Sequence, residues 1–442
     1  MVLSSDATSA SSTSNGEAVV HDIVIVGGGA GGLELAARLG RRFGPREGRR
    51  RVLLIDRSIF HLWKPSLHEV AAGSLDSHQE GLSYPVLARR NHFSFAFGDL
   101  TGLDPAAKTL TLGEIRDQDG VVLVASRTLS FNTLVLAVGS GSNLFNTPGA
   151  ADHAHLLEDV ADAEAFNKRL TAAFLASAYS DERTLNIAIV GAGATGVELS
   201  TELIEGHDEL SAGLTPGQRF GLNVTIVEAA NRILGGLPER VSTKAAQALE
   251  AKGVRLMTDA KVKAVHPDRL DTSQGAVPAD LIVWAAGVKA ADSNRDLGLA
   301  TGRLNQFVVD DHLRTSAPGV YAMGDCAEAP GPEGRPVPAR AQAAAQQAAY
   351  LAKALSRPDR DPGAYVYRDK GSLVSLGGDR GVGSLMGNLG GPNFLIEGLV
   401  AKWAYMALHL DHHRAILGVR RTALLALSRL LHRRVSGRLK LH

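Results

Sequence analysis

Ile23-Val-Ile-Val-Gly-Gly-Gly-Ala-Gly-Gly-Leu-Glu-Leu-Ala36 passes from four apolar residues into a cluster of glycines and out into a helix-forming segment. A short β-branched run that stops at glycine reads as a buried strand, and the Leu-Glu-Leu-Ala after it reads as the first turns of a helix. Gly27, Gly29 and Gly32 stand in G-x-G-x-x-G spacing. The first glycine permits a tight turn, the second lets backbone approach a pyrophosphate, and the third lets the helix close on the strand. The helix start then offers unpaired N–H groups and its positive dipole end to the anion.

One such turn carries little weight, but this chain holds two. Asn186-Ile-Ala-Ile-Val-Gly-Ala-Gly-Ala-Thr-Gly-Val-Glu-Leu-Ser200 repeats the pattern with Gly191, Gly193 and Gly196. Each copy is followed by an apolar strand that ends in an acid, Arg51-Val-Leu-Leu-Ile-Asp56 and Asn223-Val-Thr-Ile-Val-Glu228. An acid there accepts hydrogen bonds from ribose hydroxyls and repels a 2′-phosphate, so the chain is expected to prefer NADH to NADPH. Arg57 and, in the next segment, Lys64 are assigned to the same pocket as Asp56. The gap from Gly27 to Asp56 exceeds the usual ~20 residues because a basic loop is inserted.

Two more apolar runs close on glycine: Leu134-Val-Leu-Ala-Val-Gly139 and Asp280-Leu-Ile-Val-Trp-Ala-Ala-Gly287. They read as the exit strands of the two nucleotide units. Further on, Gly319-Val-Tyr-Ala-Met-Gly324-Asp325 brings another short strand to a carboxylate suited to a flavin ribityl chain. This order predicts an α/β protein of two Rossmann-like dinucleotide-binding domains, with the second inserted in the first. The expected boundaries are a disordered leader at 1–20, the first domain at 21–148, the second at 149–300, and the return to the first at 301–393. A C-terminal membrane-associating helical region at 394–442 completes the chain.

Composition narrows the chemistry. At 442 residues with 45% hydrophobic and 21% charged residues, the chain can bury two or three domain cores. A net charge of +1 gives no pull toward nucleic acid. From Phe394 onward, however, nine Lys or Arg face two acids, a net +7 that leaves the remainder at −6. Cys326 is the only cysteine, so an intrachain disulfide and a thiolate metal centre are both excluded, and no metal site is expected. No window of about 18 uncharged apolar residues is present, so no spanning helix is expected.

The two glycine turns, the Gly-Val-Tyr-Ala-Met-Gly-Asp segment and their order resemble the flavoprotein disulfide-reductase-like, that is glutathione-reductase-like, fold. His61-Leu-Trp-Lys-Pro, Leu67-His-Glu-Val-Ala, Ala341-Gln-Ala-Ala-Ala-Gln-Gln347 and Tyr367-Arg-Asp-Lys-Gly-Ser-Leu-Val-Ser375 are similar, more specifically, to type II NADH:quinone oxidoreductases. The likeness runs from about Asp22 to the tail. It implies FAD on the first domain and NADH on the second, hydride transfer from nicotinamide to flavin, and two-electron reduction of a membrane quinone, ubiquinone or menaquinone, without proton pumping. The cofactor carries the chemistry, and the protein supplies geometry and electrostatics. By the same resemblance Gln342 and Gln346 line the flavin edge and the quinone opening. Lys370 lies near the flavin N1 side, where its charge favours the reduced form. Glu198 faces the nicotinamide, in nucleotide binding or proton delivery. Glu34 holds the equivalent place in the first turn, which also allows a repeated structural use.

The tail mixes Leu, Ile and Trp403 with arginines. Projected as a helix, it gathers Ile416, Val419, Leu427 and Leu430 on one side and Arg414, Arg421, Arg429 and Arg433 on the other, with Arg420 and Arg434 intruding; a dimerising or core-covering helix is the alternative to a lipid-facing one. That pattern predicts a helix lying on an anionic lipid surface, with the chain a peripheral protein on the cytoplasmic face of a bacterial inner membrane and, as the resemblance implies, a homodimer. Two other functions remain open at this level: a soluble NADH-dependent flavin reductase serving a protein carrier, and a non-catalytic FAD- and NADH-binding sensor.

Overall fold

The computed structural model describes residues 21–180, 184–377, 381–385 and 394–435. The expected leader at 1–20 lies outside the described residues. In the first unit, β1 (His21–Val26) leads into α1 (Ala30–Phe43) and β2 (Val52–Asp56). Then come α2 (Leu67–Ala72), α3 (Tyr84–Asn91), β3 (Ser94–Phe97) and the long β4 (Arg127–Leu136). The second unit contains α4 (Val160–Tyr179), β5 (Thr184–Val190), α5 (Ala194–Gly213), β6 (Gly221–Val227), β7 (Arg255–Met257) and β8 (Leu281–Trp284). The chain then returns through β9 (Val320–Ala322) and α6 (Ala341–Leu355). It closes with β10 (Ser372–Ser375), β11 (Gly381–Leu385), β12 (Phe394–Glu397), α7 (Gly398–Leu417) and α8 (Val419–Val435).

Two parallel sheets organise the molecule. The first contains the parallel run β3-β2-β1-β4-β9, with Leu134 of β4 paired to Val320 of β9, while the start of β4 pairs antiparallel with Thr109–Leu112. Its fifth strand therefore comes from beyond the whole second unit. The second sheet has the order β7-β6-β5-β8, again parallel throughout. Strands covered on both faces read as unbroken apolar runs, and Ile23–Val26 and Ile187–Val190 are buried accordingly. In both sheets the chain leaves the central strand toward one side and later adds a strand on the other. That switch point is where open α/β sheets bind ligands, at the carboxyl ends of the strands.

A third sheet, β10-β11-β12, is antiparallel, and α7 packs on it as well as on α1. This corrects the picture of the tail as one amphipathic helix. The helix breaks at Gly418, whose φ of +78° is a left-handed value that glycine adopts without strain. Ile416, placed on the lipid side by the helical projection, is 1% exposed and belongs to the core of the first unit. Asn91 donates to the Ile416 carbonyl at 3.0 Å and Arg41 donates to the Ala415 carbonyl, so the open end of α7 is capped by the first unit itself. The side chains of Trp403, Arg429, Leu430 and Arg433 lie outside the described residues.

Candidate active site

The two glycine turns are built alike to a fine level. Gly27 and Gly191 both have φ of +102°, where a Cβ would meet the backbone of Ala137 in one case and of Ala285 and Ala286 in the other. A Cβ on Gly32 would lie 1.9 Å from the Gly27 carbonyl oxygen, and one on Gly196 would lie 2.1 Å from that of Gly191. Both helices thus close on their strands only because those residues have no side chain. Gly29 and Gly193, in contrast, point into open space.

The acids repeat as well. Asp56 Oδ2 accepts from the Gly28 N–H at 2.6 Å and Oδ1 from the Ser58 N–H at 2.8 Å. Glu228 Oε2 accepts from the Ala192 N–H at 2.7 Å and Oε1 from the Ala230 N–H at 2.8 Å. Each carboxylate ties its glycine turn to the end of the second strand and keeps further lone pairs for a ligand. Burial pushes the Asp56 carboxyl above the usual carboxylate range.

A cleft of about 1220 Å³ opens at the first switch point, lined among others by Gly27, Gly29, Asp56, Arg57, Lys64 and Gly139. It exceeds the roughly 300–1,000 Å³ of common small-ligand pockets, as an extended dinucleotide requires. Two bridges fix its walls. Lys64 Nζ donates to the Ser140 carbonyl at 2.7 Å, and Arg57 pairs with Asp159 across the mouth at 3.2 Å. Glycines open toward the cavity, an N–H-rich helix start and a carboxylate at the strand end fit FAD. The second turn and the Gln342 group are not among the residues lining this cleft.

Asp325 sits behind Gly139, its Oδ2 accepting from the Ser140 hydroxyl at 3.0 Å. Gly324, with φ of +72°, donates its N–H to Gln347 Oε1 at 2.7 Å. Gln347 is 1% exposed and was not singled out from the sequence, although it ends the quoted Ala-Gln run. Gln342 and Gln346 turn their amides to one backbone segment. Gln346 takes both the N–H and the carbonyl of Arg368, at 3.0 and 2.8 Å. Gln342 accepts from the Lys370 N–H at 3.1 Å and donates to Asp369 at 3.2 Å and to the Gly371 carbonyl at 2.9 Å. The Lys370 side chain itself is exposed.

The other end of that segment meets Glu198. The Ser375 N–H donates to Glu198 Oε1 at 3.0 Å, while Glu198 Oε2 lies 3.6 Å from His68 Nδ1 on α2. Glu198 is 5% and His68 3% exposed, and burial pushes the Glu198 carboxyl up to about 7. Residues 368–375 thus join Gln342, Gln346, Lys370 and Glu198. The remaining predicted position, Gly287, has φ of +68° and packs against the Phe145 ring, at the second exit strand. Cys326 is fully buried, and burial pushes its thiol up to about 11, far from a reactive thiolate.

Comparison with known proteins agrees with this geometry. A model of the pyridine nucleotide-disulphide oxidoreductase family matches residues 21–348. The type II NADH:quinone oxidoreductase of Haemophilus influenzae is 38% identical over 96% of this chain and 100% of its own. The protein of the same description from Staphylococcus aureus is 29% identical over 83% of this chain and 90% of its own. Among solved structures, NDH2 from Plasmodium falciparum in complex with NADH superposes with a TM-score of 0.78 at 17% identity, covering 95% of this chain and 99% of that one. The sulfide:quinone oxidoreductase of Aquifex aeolicus gives 0.69 at 17% identity, over 90% and 92%. These two likenesses establish the fold, and the sequence relationships refine it: the chain belongs to the pyridine nucleotide-disulphide oxidoreductase family and, within it, to the type II NADH:quinone oxidoreductases.

Proposed function

We propose that this chain oxidises NADH and passes two electrons to a membrane quinone, giving quinol, with FAD as its resident cofactor and without pumping protons. The observation that carries this reading is 38% identity over 96% of the chain with a type II NADH:quinone oxidoreductase, in a chain that keeps both nucleotide turns intact. Disulfide exchange needs a second reactive sulfur, which a single buried cysteine does not provide.

FAD would be held by Gly27, Gly29, Gly32, Asp56, Arg57, Lys64, Gly139, Gly324 and Asp325, and when bound it supplies the two-electron carrier between donor and acceptor. Gly191, Gly193, Gly196, Glu228 and Gly287 would hold NADH, with Glu228 excluding a 2′-phosphate. Glu198, buried and with its carboxyl raised to about 7, is suited to give or take a proton, and His68 Nδ1 lies 3.6 Å from its second oxygen. Gln342 and Gln346 act by position: they fix the backbone of 368–371 and so present the Lys370 ammonium, whose charge favours the added electrons.

Helix α8 supports a lipid-facing role. Leu424, Leu427 and Leu431 are each more than half exposed at helical spacing, beside exposed Arg420 and Arg421. Residues 418–442 hold seven Lys or Arg and no acid. Such a helix lies in the headgroup region of an anionic surface, and no described helix is long and apolar enough to cross a membrane. The reading places a homodimer on the cytoplasmic face of a bacterial inner membrane, where NADH is dissolved and quinone is within reach. Assaying the purified protein for NADH oxidation with a short-chain quinone, against NADPH, tests it; equal rates with both nucleotides, or none with either, would refute it.

A further inference from the structure

Helix α7 reaches back to the first glycine turn, and its His412 is the centre of a buried polar chain. His61 Nδ1 lies 3.0 Å from the Gly28 carbonyl, which also accepts from the Tyr84 hydroxyl at 2.7 Å. His61 Nε2 lies 3.0 Å from His412 Nε2, and His412 Nδ1 lies 3.0 Å from Glu34 Oε1. Glu34 Oε2 accepts from Arg38 at 3.3 Å. His61, His412 and Glu34 are 4%, 3% and 2% exposed, and Trp63 stacks on the His412 ring at 4.1 Å. These residues join segments more than 350 positions apart.

The protons of this chain can be counted. A carbonyl only accepts, so His61 Nδ1 carries a hydrogen. The contact between the two Nε2 atoms needs one hydrogen, and the contact between His412 and Glu34 needs another. Three are required, and two neutral imidazoles supply two. The third is extra: either Glu34 is a carboxylic acid that donates to His412, or a carboxylate faces an imidazolium. Without it, two nitrogen lone pairs oppose each other in a buried contact, which costs the desolvation of both.

We propose that His61 and His412 are positioning residues for the first nucleotide turn, and that the chain Gly28–His61–His412–Glu34 docks α7 onto that turn by holding one proton beyond two neutral histidines and an ionised acid. Neither NADH nor quinone is touched, so the inference goes beyond the proposed reaction.

The surroundings favour Glu34 as the proton's place. Arg38 and Arg41 from α1 favour its ionised form, Asp411 from α7 opposes it, and burial outweighs all three, pushing the carboxyl up to about 7. Burial together with His413 pulls His412 down to about 3, and burial with both neighbouring histidines keeps His61 well below its ordinary value. Tyr84, the remaining titratable group, is held neutral by burial and by Asp56. An acid whose carboxyl is raised on docking binds its proton more tightly docked than free. Docking is therefore fully present at low pH, weakens as pH rises from the ordinary carboxylate range toward 7, and stays weak above it.

Glu34→Gln discriminates, because its amide donates to His412 and accepts from Arg38 at every pH. The holoenzyme is heated while the fluorescence of released FAD is followed, and in parallel the rate of tryptic cleavage after Arg414 is read by mass spectrometry. Taking the protein from pH 5.5 to 8 should lower the release temperature and speed the cut about fivefold or more beyond the change trypsin itself shows on an unstructured arginine peptide at each pH, whereas Glu34→Gln should show neither change once cleavage is referred to that peptide. His412→Phe, which keeps the stack on Trp63 but has no ring nitrogen, should release FAD earlier and be cut faster already at pH 5.5. A pH-insensitive wild type, a Glu34→Gln protein that follows the wild type, or a His412→Phe protein that matches it at pH 5.5 would each overturn the proposal. The cleavage readout needs no flavin, so it fails or succeeds independently of the reaction assigned above.

Discussion

Glu34 and Glu198 occupy the same place in the two nucleotide units, two residues past the last glycine, and both are buried, raised to about 7 and set against a histidine. Their partners differ. Glu34 faces His412 of α7, deep behind the first turn, while Glu198 faces His68 and accepts from Ser375 at the end of β10, the strand that follows Lys370. A repeated fold has thus placed one kind of acid twice, for docking in one unit and, on the proposed reading, for proton exchange in the other.

Glu198→Gln should remove that exchange. Quinone reduction takes up protons, so the protonated acid is the active form, and wild-type kcat should fall as pH rises past about 7. The variant should lose roughly 10²-fold in kcat at pH 6 and show no inflection. Steady-state rates between pH 5.5 and 8.5 check this; an unchanged inflection in the variant would assign the titration elsewhere.

The two strand-end acids should separate by cofactor. Asp56→Ala removes an acceptor from the Gly28 and Ser58 N–H groups, and the purified protein should retain under about a tenth of its flavin, since a charged hydrogen bond is worth about 1.5–3 kcal/mol. Glu228→Ala should keep its flavin and raise KM for NADH about tenfold or more. Absorbance spectra and NADH titrations distinguish the two.

Gln342→Leu breaks three hydrogen bonds to residues 369–371. Stopped-flow absorbance should show flavin reduction by NADH within about threefold of wild type and reoxidation by quinone slowed about tenfold. Equal loss in both half-reactions would contradict a role confined to the acceptor side.

Much of this was legible in the sequence because it is local. A turn at φ of +102° admits glycine and little else, so Gly27 and Gly191 declare themselves, and the acids follow at the next strand end. What the sequence conceals is pairing across distance. Nothing in the spacing of His61 and His412, or of Glu198 and Ser375, says that they meet. The two glutamines were recognisable as a motif, but their amides turning to the 368–371 backbone depends on where a later strand lies. At Ile416 the core-covering alternative holds, and a basic amphipathic pattern does not reveal that the first unit claims the end of α7. Gly418 marks that boundary and could have been read as a helix break.

The same boundary decides where to cut. Removing residues from 394 onward would strip β12 and α7 from the body, whereas a stop after Leu417 removes only α8 and the residues beyond it. The shorter protein should no longer float with anionic vesicles, yet should keep its rate with a short-chain soluble quinone. Continued vesicle binding would show that the lipid contact lies elsewhere.

The most direct test of the central claim is an anaerobic titration of the purified protein, followed at the flavin absorbance band. NADH should bleach one flavin per chain, NADPH should do so poorly, and quinone added afterwards should restore the colour. A colourless protein, or a bound flavin that NADH leaves oxidised, would contradict the account.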